Sequence, residues 1–217
     1  MTNLVCPHGS DSLNPLYIKD SKEKEEIVKK SQNLPKILLN SAAAANVVML
    51  GAGYFTPLSG FMNKKDALNV AKNMLTESGL FWPIPILNLT TNLDANIKTG
   101  SEVALLDPNI DGNPVIAIQK VTSIEELADD ELAEITKNIF GTLDAEHPGV
   151  KNFMSLGKTI ISGEIKVLNY SYFPKEFPET FATAQEIRDM LENANWQKVV
   201  AFQTRNPMHR AHEELCK

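Results

Sequence analysis

The spacing of apolar residues divides the chain into a first part that mixes short helices with short strands and a last part that alternates helix, strand and helix. Polar segments rich in Gly, Pro and Asn separate these elements, and the longest of them, residues 51–63, predicts a loop. The predicted helices cover residues 22–32, 42–50, 63–75, 123–138 and 183–193. The predicted strands cover residues 84–90, 102–106, 114–121, 159–169 and 198–202.

Polar residues in front of several apolar segments mark the expected starts of helices. Ser, Thr and Asn side chains accept backbone N–H bonds at such positions, and a Glu three residues later completes a capping box. The predicted caps are Ser21, Ser41, Asn63, Ser123 with Glu126, and Thr183 with Glu186, and the predicted helix ends are Gly51 and Gly141.

An aromatic segment divides the chain into two predicted domains. Residues 170–182, YSYFPKEFPETFA, hold two prolines and five aromatic residues, which predicts an ordered linker. We therefore expect an N-terminal domain over 1–170, a linker over 171–182 and the start of a second domain over 183–217. The helix, strand and helix of this last part predict the opening of a parallel α/β sheet, so the expected fold class is mixed α/β (α+β).

Composition excludes several classes of protein. The 217 residues are 43% hydrophobic, which is enough for a buried core, and the formal net charge is −6. A net acidic chain argues against a general nucleic-acid binder. No apolar run approaches the roughly 20 residues of a membrane span, and MTNLVCPHGS lacks the features of a signal peptide. Cys6 and Cys216 alone build no disulfide framework, so we expect a cytoplasmic protein.

The segment QTRNPMHRAH, residues 203–212, carries the candidate chemistry. It directly follows the predicted strand 198–202, with Asn206 as the expected N-cap of a helix and Pro207 as its first residue. His209 and His212 are three residues apart, which places both imidazoles on one face of that helix. A helix N-terminus at the end of a parallel strand is a common place for an anion to bind.

Arginine usage supports an anion site in this segment. The chain has 18 Lys and three Arg, and two of the three, Arg205 and Arg210, lie here. Arg suits bidentate recognition of an oxyanion. Two other interpretations exist: a histidine pair that only packs or faces solvent, and a zinc site. Zinc proteases space their histidines four apart with a Glu between them, whereas Arg210 and Ala211 separate these two.

The segment closely resembles the signature of the ATP sulfurylase (sulfate adenylyltransferase) family of H-x-x-H nucleotidyltransferases. The segments GYFTPLSGFMN, LFWPIPI and DAEHPGV are similar to parts of that family's N-terminal domain, which is PUA-like. The family's Rossmann-like catalytic domain continues with a nucleotide-binding loop of the Gly-Arg-Asp-His type, which does not occur in these 217 residues. The resemblance therefore implies a PUA-like domain followed by the first strand and helix of the catalytic domain, as in an N-terminal fragment that is inactive alone.

The resemblance also implies the reaction, in which ATP and sulfate give adenosine 5′-phosphosulfate (APS) and diphosphate. Gln203 and Arg205 would hold sulfate, Thr204 and Asn206 would contact the phosphates around the α-phosphorus, and His209 and His212 would meet the β- and γ-phosphates. The implied catalytic residues are Thr204, Arg205, Asn206, His209 and His212, and with Gln203 they form the implied ATP site. Mg²⁺ would accompany ATP, and we expect no protein-bound metal and no organic cofactor.

The expected partners are ATP, sulfate, APS, diphosphate and further copies of the full-length protein, without nucleic acid or membrane. One alternative is another H-x-x-H adenylyltransferase, although those usually begin with the histidine helix and here 202 residues precede Gln203. A PUA-like RNA-binding module is another alternative. Residues 1–182 hold 16 Lys, no Arg and 22 acidic residues. The resulting net charge of −6 opposes binding to the phosphate backbone of RNA.

Overall fold

The computed structural model describes residues 4–194, 196, 198–204 and 206–217, and it shows a mixed α/β fold. Within these residues the helices are α1 (Ser21–Ser31), α2 (Ser41–Gly51), α3 (Lys64–Asn73), α4 (Asp129–Phe140), α5 (Pro148–Ser155), α6 (Phe173–Glu176), α7 (Ala184–Asn193) and α8 (Arg210–Cys216). The strands are β1 (Lys36–Leu38), β2 (Gly60–Phe61), β3 (Leu89–Thr90), β4 (Glu102–Leu106), β5 (Val115–Lys120), β6 (Ser123–Glu126) and β7 (Thr159–Val167).

Strand β7 organises the sheet. Its second half pairs with β5 and its first half with β6 and β3, while β2 pairs near its middle, and all four pairings are antiparallel. The sheet continues from β5 to β4 and then to β1, which runs parallel to β4. Because one strand takes partners along both halves, the sheet curls around a common core. Helices α2, α3 and α4 contribute buried apolar residues to that core, among them Val47, Val70 and Ile135.

Several predicted elements are confirmed. The structure forms β4, β5 and β7 within the predicted strands 102–106, 114–121 and 159–169. Asn63 caps α3 by accepting the backbone N–H of Asp66, and Gly141 ends α4 in a left-handed conformation. Thr183 and Glu186 form the predicted capping box of α7. The predicted mixed α/β class is correct.

Two predicted caps are wrong by one residue. Asp20 rather than Ser21 caps α1, because its carboxylate accepts the N–H of Glu23 at 2.8 Å. Asn40 rather than Ser41 caps α2 and accepts the N–H of Ala43, also at 2.8 Å. In both cases the residue predicted as the cap is already helical. Gly51 is likewise the last residue of α2 and does not follow it.

The predicted capping box of Ser123 and Glu126 is also wrong, because these residues form strand β6. Four residue pairs join β6 to the first half of β7, so pairing with a distant strand overrides the local capping pattern. Helix α4 begins later, at Asp129, and the Glu131 carboxylate accepts the backbone N–H of Ala128 at 2.7 Å.

The prolines around residue 84 shorten another predicted strand. Only Leu89–Thr90 of the predicted strand 84–90 pairs, because Pro83 and Pro85 lack the N–H that a ladder needs. The predicted loop 51–63 begins with the last residue of α2, contains the short strand β2 and is otherwise irregular.

A close backbone approach at Gly163 predicts a large loss of stability on substitution. Gly163 has φ +140° within β7, and a Cβ there would collide with the carbonyl oxygen of Lys120. We expect Gly163→Ala to lower the free energy of unfolding by about 3 kcal/mol or more, since backbone strain and overpacking add. Gly100→Ala is the matched control, because Gly100 also has positive φ but open space around it. Urea unfolding measures both variants, and equal losses would contradict the argument.

No helix in the described part of the chain has the length and the apolar composition needed to cross a membrane.

Candidate functional site

Hydrogen bonds join the linker and α7 to the first part of the chain. The Tyr54 hydroxyl donates to the carbonyl of Ala182 at 2.7 Å, and the N–H of Ala184 donates to the carbonyl of Ala52 at 2.9 Å. Burial raises the pKa of Tyr54, and the charge of Glu186 adds to this shift. The predicted linker is therefore ordered where it meets α7. The backbone and hydroxyl of Thr183 lower the pKa of the Glu186 carboxyl, as expected for a capping box.

The predicted strand 198–202 is absent from the structure. Its described residues are irregular and solvent-exposed, with Val200 79% exposed, and Trp196 just before them is 59% exposed. A strand of a parallel sheet needs hydrogen-bonded neighbours, and the described residues offer none to this segment. The apolar side chains of this segment therefore stay exposed.

The residues after this segment form a turn. The Thr204 hydroxyl accepts the N–H of Asn206 and donates to the carbonyl of Asn206, both at 3.1 Å. Gln203 and Asn206 are exposed. Arg205, the predicted sulfate-binding cation, lies outside the described residues.

His209, and not Asn206, is the N-cap of the histidine helix. Helix α8 begins at Arg210, and His209 has the extended backbone typical of a cap, with φ −132° and ψ 174°. Its Nδ1 accepts the N–H of Ala211 at 3.3 Å. The predicted helix start at Pro207 is therefore wrong. The turn at Thr204 holds the backbone of Asn206, and the described contacts include no bond from the Asn206 side chain to a helix N–H.

The structure brings the two imidazoles together. The Nδ1 of His212 accepts the backbone N–H of His209 at 3.3 Å, and the ring centroids are 3.9 Å apart. Phe202 packs near His212, with 5.4 Å between the ring centroids. Because each Nδ1 accepts a backbone N–H, each neutral ring carries its proton on Nε2. Both histidines can therefore donate a hydrogen bond through Nε2 while they cap the helix.

An open cavity of about 450 Å³ adjoins this helix. It is lined by Met208, His209, Arg210, Glu213, Glu214 and Lys217. Lys217 forms ion pairs with Glu213 at 3.1 Å and Glu214 at 2.9 Å, so these charges largely offset one another. Among the residues that the structure describes, no three His, Cys, Asp or Glu side chains are placed to hold a metal ion.

Comparison with protein families assigns the first part of the chain. Residues 5–170 match the model of the PUA-like domain family. The chain belongs to this family. Residues 178–217, which contain the histidine pair, match the model of ATP-sulfurylase. The predicted PUA-like domain and the predicted resemblance to the ATP sulfurylase family are confirmed.

Curated relatives match the PUA-like domain and the histidine segment together. The chain is 52% identical to a sulfate adenylyltransferase of Alcanivorax borkumensis over 217 residues, which is all of this chain and 54% of that protein. It is 50% identical to a sulfate adenylyltransferase of Allochromatium vinosum over 214 residues, 99% of this chain and 54% of that protein. The chain thus spans about half the length of the curated relatives it matches.

A solved structure shares the fold. A hexameric APS kinase from Thiobacillus denitrificans superposes with a TM-score of 0.75 and 24% sequence identity. The match covers 99% of this chain and 36% of that protein. At this identity the likeness establishes the fold alone, and it agrees with the mixed α/β architecture of the PUA-like domain and its extension.

Proposed function

We propose that the chain supplies the PUA-like domain and the first catalytic elements of a sulfate adenylyltransferase. The enzyme converts ATP and sulfate to APS and diphosphate. One observation carries this proposal: the paired imidazoles of His209 and His212 lie in a segment that matches ATP-sulfurylase, within a chain up to 52% identical to sulfate adenylyltransferases. The domains in this proposal are 1–170 and 183–217, joined by the linker 171–182.

The reaction needs positioning and charge stabilisation more than proton transfer. Sulfate is a dianion at neutral pH, so the nucleophile requires no general base. The obstacles are the approach of an anion to the polyanionic ATP and the negative charge that develops on the departing diphosphate. Cations and N–H donors at fixed positions overcome both obstacles.

The first residues of the segment bind sulfate and the α-phosphate in this proposal. Gln203 donates to sulfate as a neutral group, and Arg205 binds it as a planar cation. Thr204 and Asn206 contact the phosphates of ATP. The structure supports this for Asn206, since His209 caps the helix and leaves the exposed amide of Asn206 available for a ligand.

The histidines stabilise the leaving group. His209 and His212 use Nδ1 to accept backbone N–H groups of α8, which leaves both Nε2–H groups as donors. These donors meet the β- and γ-phosphates and strengthen their bonds as diphosphate departs. The backbone bonds also fix the orientation of each ring before the substrate arrives.

Mg²⁺ enters with ATP as part of the substrate, held chiefly by phosphate oxygens and water. We further propose a cytoplasmic enzyme that assembles with copies of itself and binds neither nucleic acid nor membrane. The acidic net charge of −6 supports the absence of nucleic acid.

We propose that the remainder of the catalytic domain packs on a group of exposed apolar residues. Met190 on α7 is 62% exposed, and Val199, Val200 and Trp196 are all more than half exposed. Since the chain spans about half the length of its relatives, we propose that residues 198–202 form their strand when neighbouring strands of the same enzyme pair with them.

A hybrid enzyme tests this function. The 217 residues replace the matching 54% of the Alcanivorax borkumensis sulfate adenylyltransferase, and release of diphosphate from ATP is measured with and without sulfate. We expect sulfate-dependent release from the hybrid and none from the 217-residue chain alone, because half of the nucleotide site lies elsewhere. Turnover by the chain alone at a rate typical of enzymes would overturn the proposal that these are only the first catalytic elements.

A further inference from the structure

The hairpin loop between β4 and β5 contains a run of oxygen-bearing residues that the proposed reaction does not use. Residues 107–112 read Asp-Pro-Asn-Ile-Asp-Gly. This matches the first half of a calcium-binding loop, in which residues one, three and five supply side-chain oxygens and residue six is Gly. Gly112 has φ +80°, the conformation that the sharp turn of such a loop requires.

The independent observation is a buried carboxylate oxygen without a partner. Asp107 is 0% exposed, and among the described residues its Oδ2 has no hydrogen-bond partner. No ion pair among those residues includes Asp107 either. A buried carboxylate without a compensating charge is unfavourable. A bound cation or a hydrogen-bond donor at this oxygen would remove that cost.

The carboxylate of Asp107 is hydrogen-bonded to the backbone of the loop. Its Oδ1 accepts the N–H of Asn109 at 2.9 Å, which holds the group beside that backbone. The hairpin is closed behind it by the bond from the N–H of Asp107 to the carbonyl of Pro114, also at 2.9 Å. The amide oxygen of Asn109 accepts a bond from Ser41 and retains a second lone pair.

We infer that this loop binds a calcium ion. Asp107, Asn109 and Asp111 supply side-chain oxygens, the carbonyl of Asn113 takes the seventh position of the loop, and water completes the shell. Two carboxylates and two neutral oxygens form a hard-cation set with no His or Cys. The inference departs from the sequence-based expectation that the chain binds no metal, and it is independent of the proposed adenylyl transfer.

The loop lacks the acidic residue that strengthens tight calcium sites. The twelfth position, which is a bidentate Glu in an EF-hand, is Ile118 here, and the ninth is Val115. With four protein oxygens we expect a dissociation constant of about 10⁻⁴–10⁻³ M, as in weak calcium modules. Mg²⁺ binds more weakly still, because it demands octahedral geometry and gives up water reluctantly.

A titration followed by NMR tests the inference on the 217-residue chain. Calcium chloride is added in the absence of nucleotide, and the backbone amide signals are recorded at each step. We expect saturable shifts centred on Asn109, Gly112 and Asn113, and smaller shifts with magnesium chloride. Asp111→Asn removes an exposed ligand and should weaken binding by about tenfold or more, since affinity follows the number of charged ligands.

Asp107→Asn keeps the size of the side chain and an oxygen for the N–H of Asn109, so the loop should persist while the calcium shifts disappear. Asp94→Asn is the matched control. Asp94 accepts the N–H of Asn96 in the same kind of turn, but it is exposed and Lys98 takes the fifth position. We expect its calcium response to equal that of the wild type.

Two results would overturn the inference. Calcium shifts that are absent, or linear and scattered over exposed carboxylates, would show that the loop is not a site. A calcium response retained by Asp107→Asn would show the same. If hydrogen-bond donors of the protein alone compensate Asp107, the Asp107→Asn variant should lose thermal stability while the wild type shows no loop-centred shifts.

Discussion

Replacing His209 by Asn in the hybrid enzyme should lower kcat by about 10²–10³ and leave the melting temperature nearly unchanged. Asn is among the best N-caps, so His209→Asn keeps the cap of α8 and removes only the imidazole donor. Loss of one hydrogen bond to a developing charge typically has an effect of this size. Because the bond strengthens as diphosphate departs, the KM for ATP should change much less than kcat.

His212→Gln is the corresponding variant on the other ring. Gln at the third helical position can still accept the N–H of residue 209, so the reciprocal cap persists without an imidazole. The double variant should lose less than the product of the two single losses, since both rings act on one leaving group. Steady-state kinetics and thermal unfolding are measured on the same preparations.

The alternative, a histidine pair that only stabilises the helix, gives the opposite pattern. His209→Ala would then lower the melting temperature, while kcat of the folded fraction would stay near that of the parent. His209→Asn would be close to wild type in both measurements. A His209→Asn hybrid with unchanged kcat therefore contradicts the proposed role of the pair.

Arg205→Lys should remove most of the activity of the hybrid although the charge is kept. A guanidinium can bind two sulfate oxygens through parallel N–H groups, whereas an ammonium is a point charge on a flexible chain. We expect kcat/KM for sulfate to fall by at least about tenfold, which corresponds to roughly 1.4 kcal/mol of lost stabilisation in the transition state.

Arg210→Lys is the matched control for this substitution. Arg210 lies in the same segment and is exposed, and the proposal gives it no contact with sulfate. Its kcat/KM for sulfate should stay within about twofold of the parent hybrid. The same small change in Arg205→Lys would show that Arg205 does not bind sulfate.

Local interactions determine several of the elements that were predicted correctly. Asn63 and the pair Thr183 and Glu186 cap their helices with their own side chains, and the flanking sequence provides the apolar face. Strands β4 and β5 are adjacent in sequence, and their apolar runs are bounded by turn residues. In each case the pattern and the structure depend on residues close together in the chain.

The errors arise where pairing between distant segments determines the secondary structure. Ser123 has a good local capping partner in Glu126, yet β6 pairs with β7, which lies more than thirty residues later. Residues 198–202 have the composition of a strand, but pairing partners are absent from the described residues. Neither outcome can be derived from propensity, because both depend on which strands are neighbours.

The residues of the candidate site could be predicted from the motif, but their geometry could not. Gln203 to His212 could be named because their order is specific to one family. The capping role of His209 was missed because Ser, Thr, Asn and Asp are the usual caps. His147 caps α5 in the same way, with Nδ1 accepting the N–H of Val150 at 3.3 Å. The unpartnered oxygen of Asp107 could not be predicted from the sequence, because only the folded structure shows that this side chain is buried.

The most direct test of the central proposal is to follow labelled sulfate into product. The hybrid enzyme is incubated with ATP, Mg²⁺ and ³⁵S-sulfate, and both nucleotide products and diphosphate are quantified. We expect labelled APS and diphosphate in equal amounts, with both lost together in Arg205→Lys. A folded hybrid that releases diphosphate without incorporating sulfate, or that forms neither product, would contradict the assignment of this chain to sulfate adenylyl transfer.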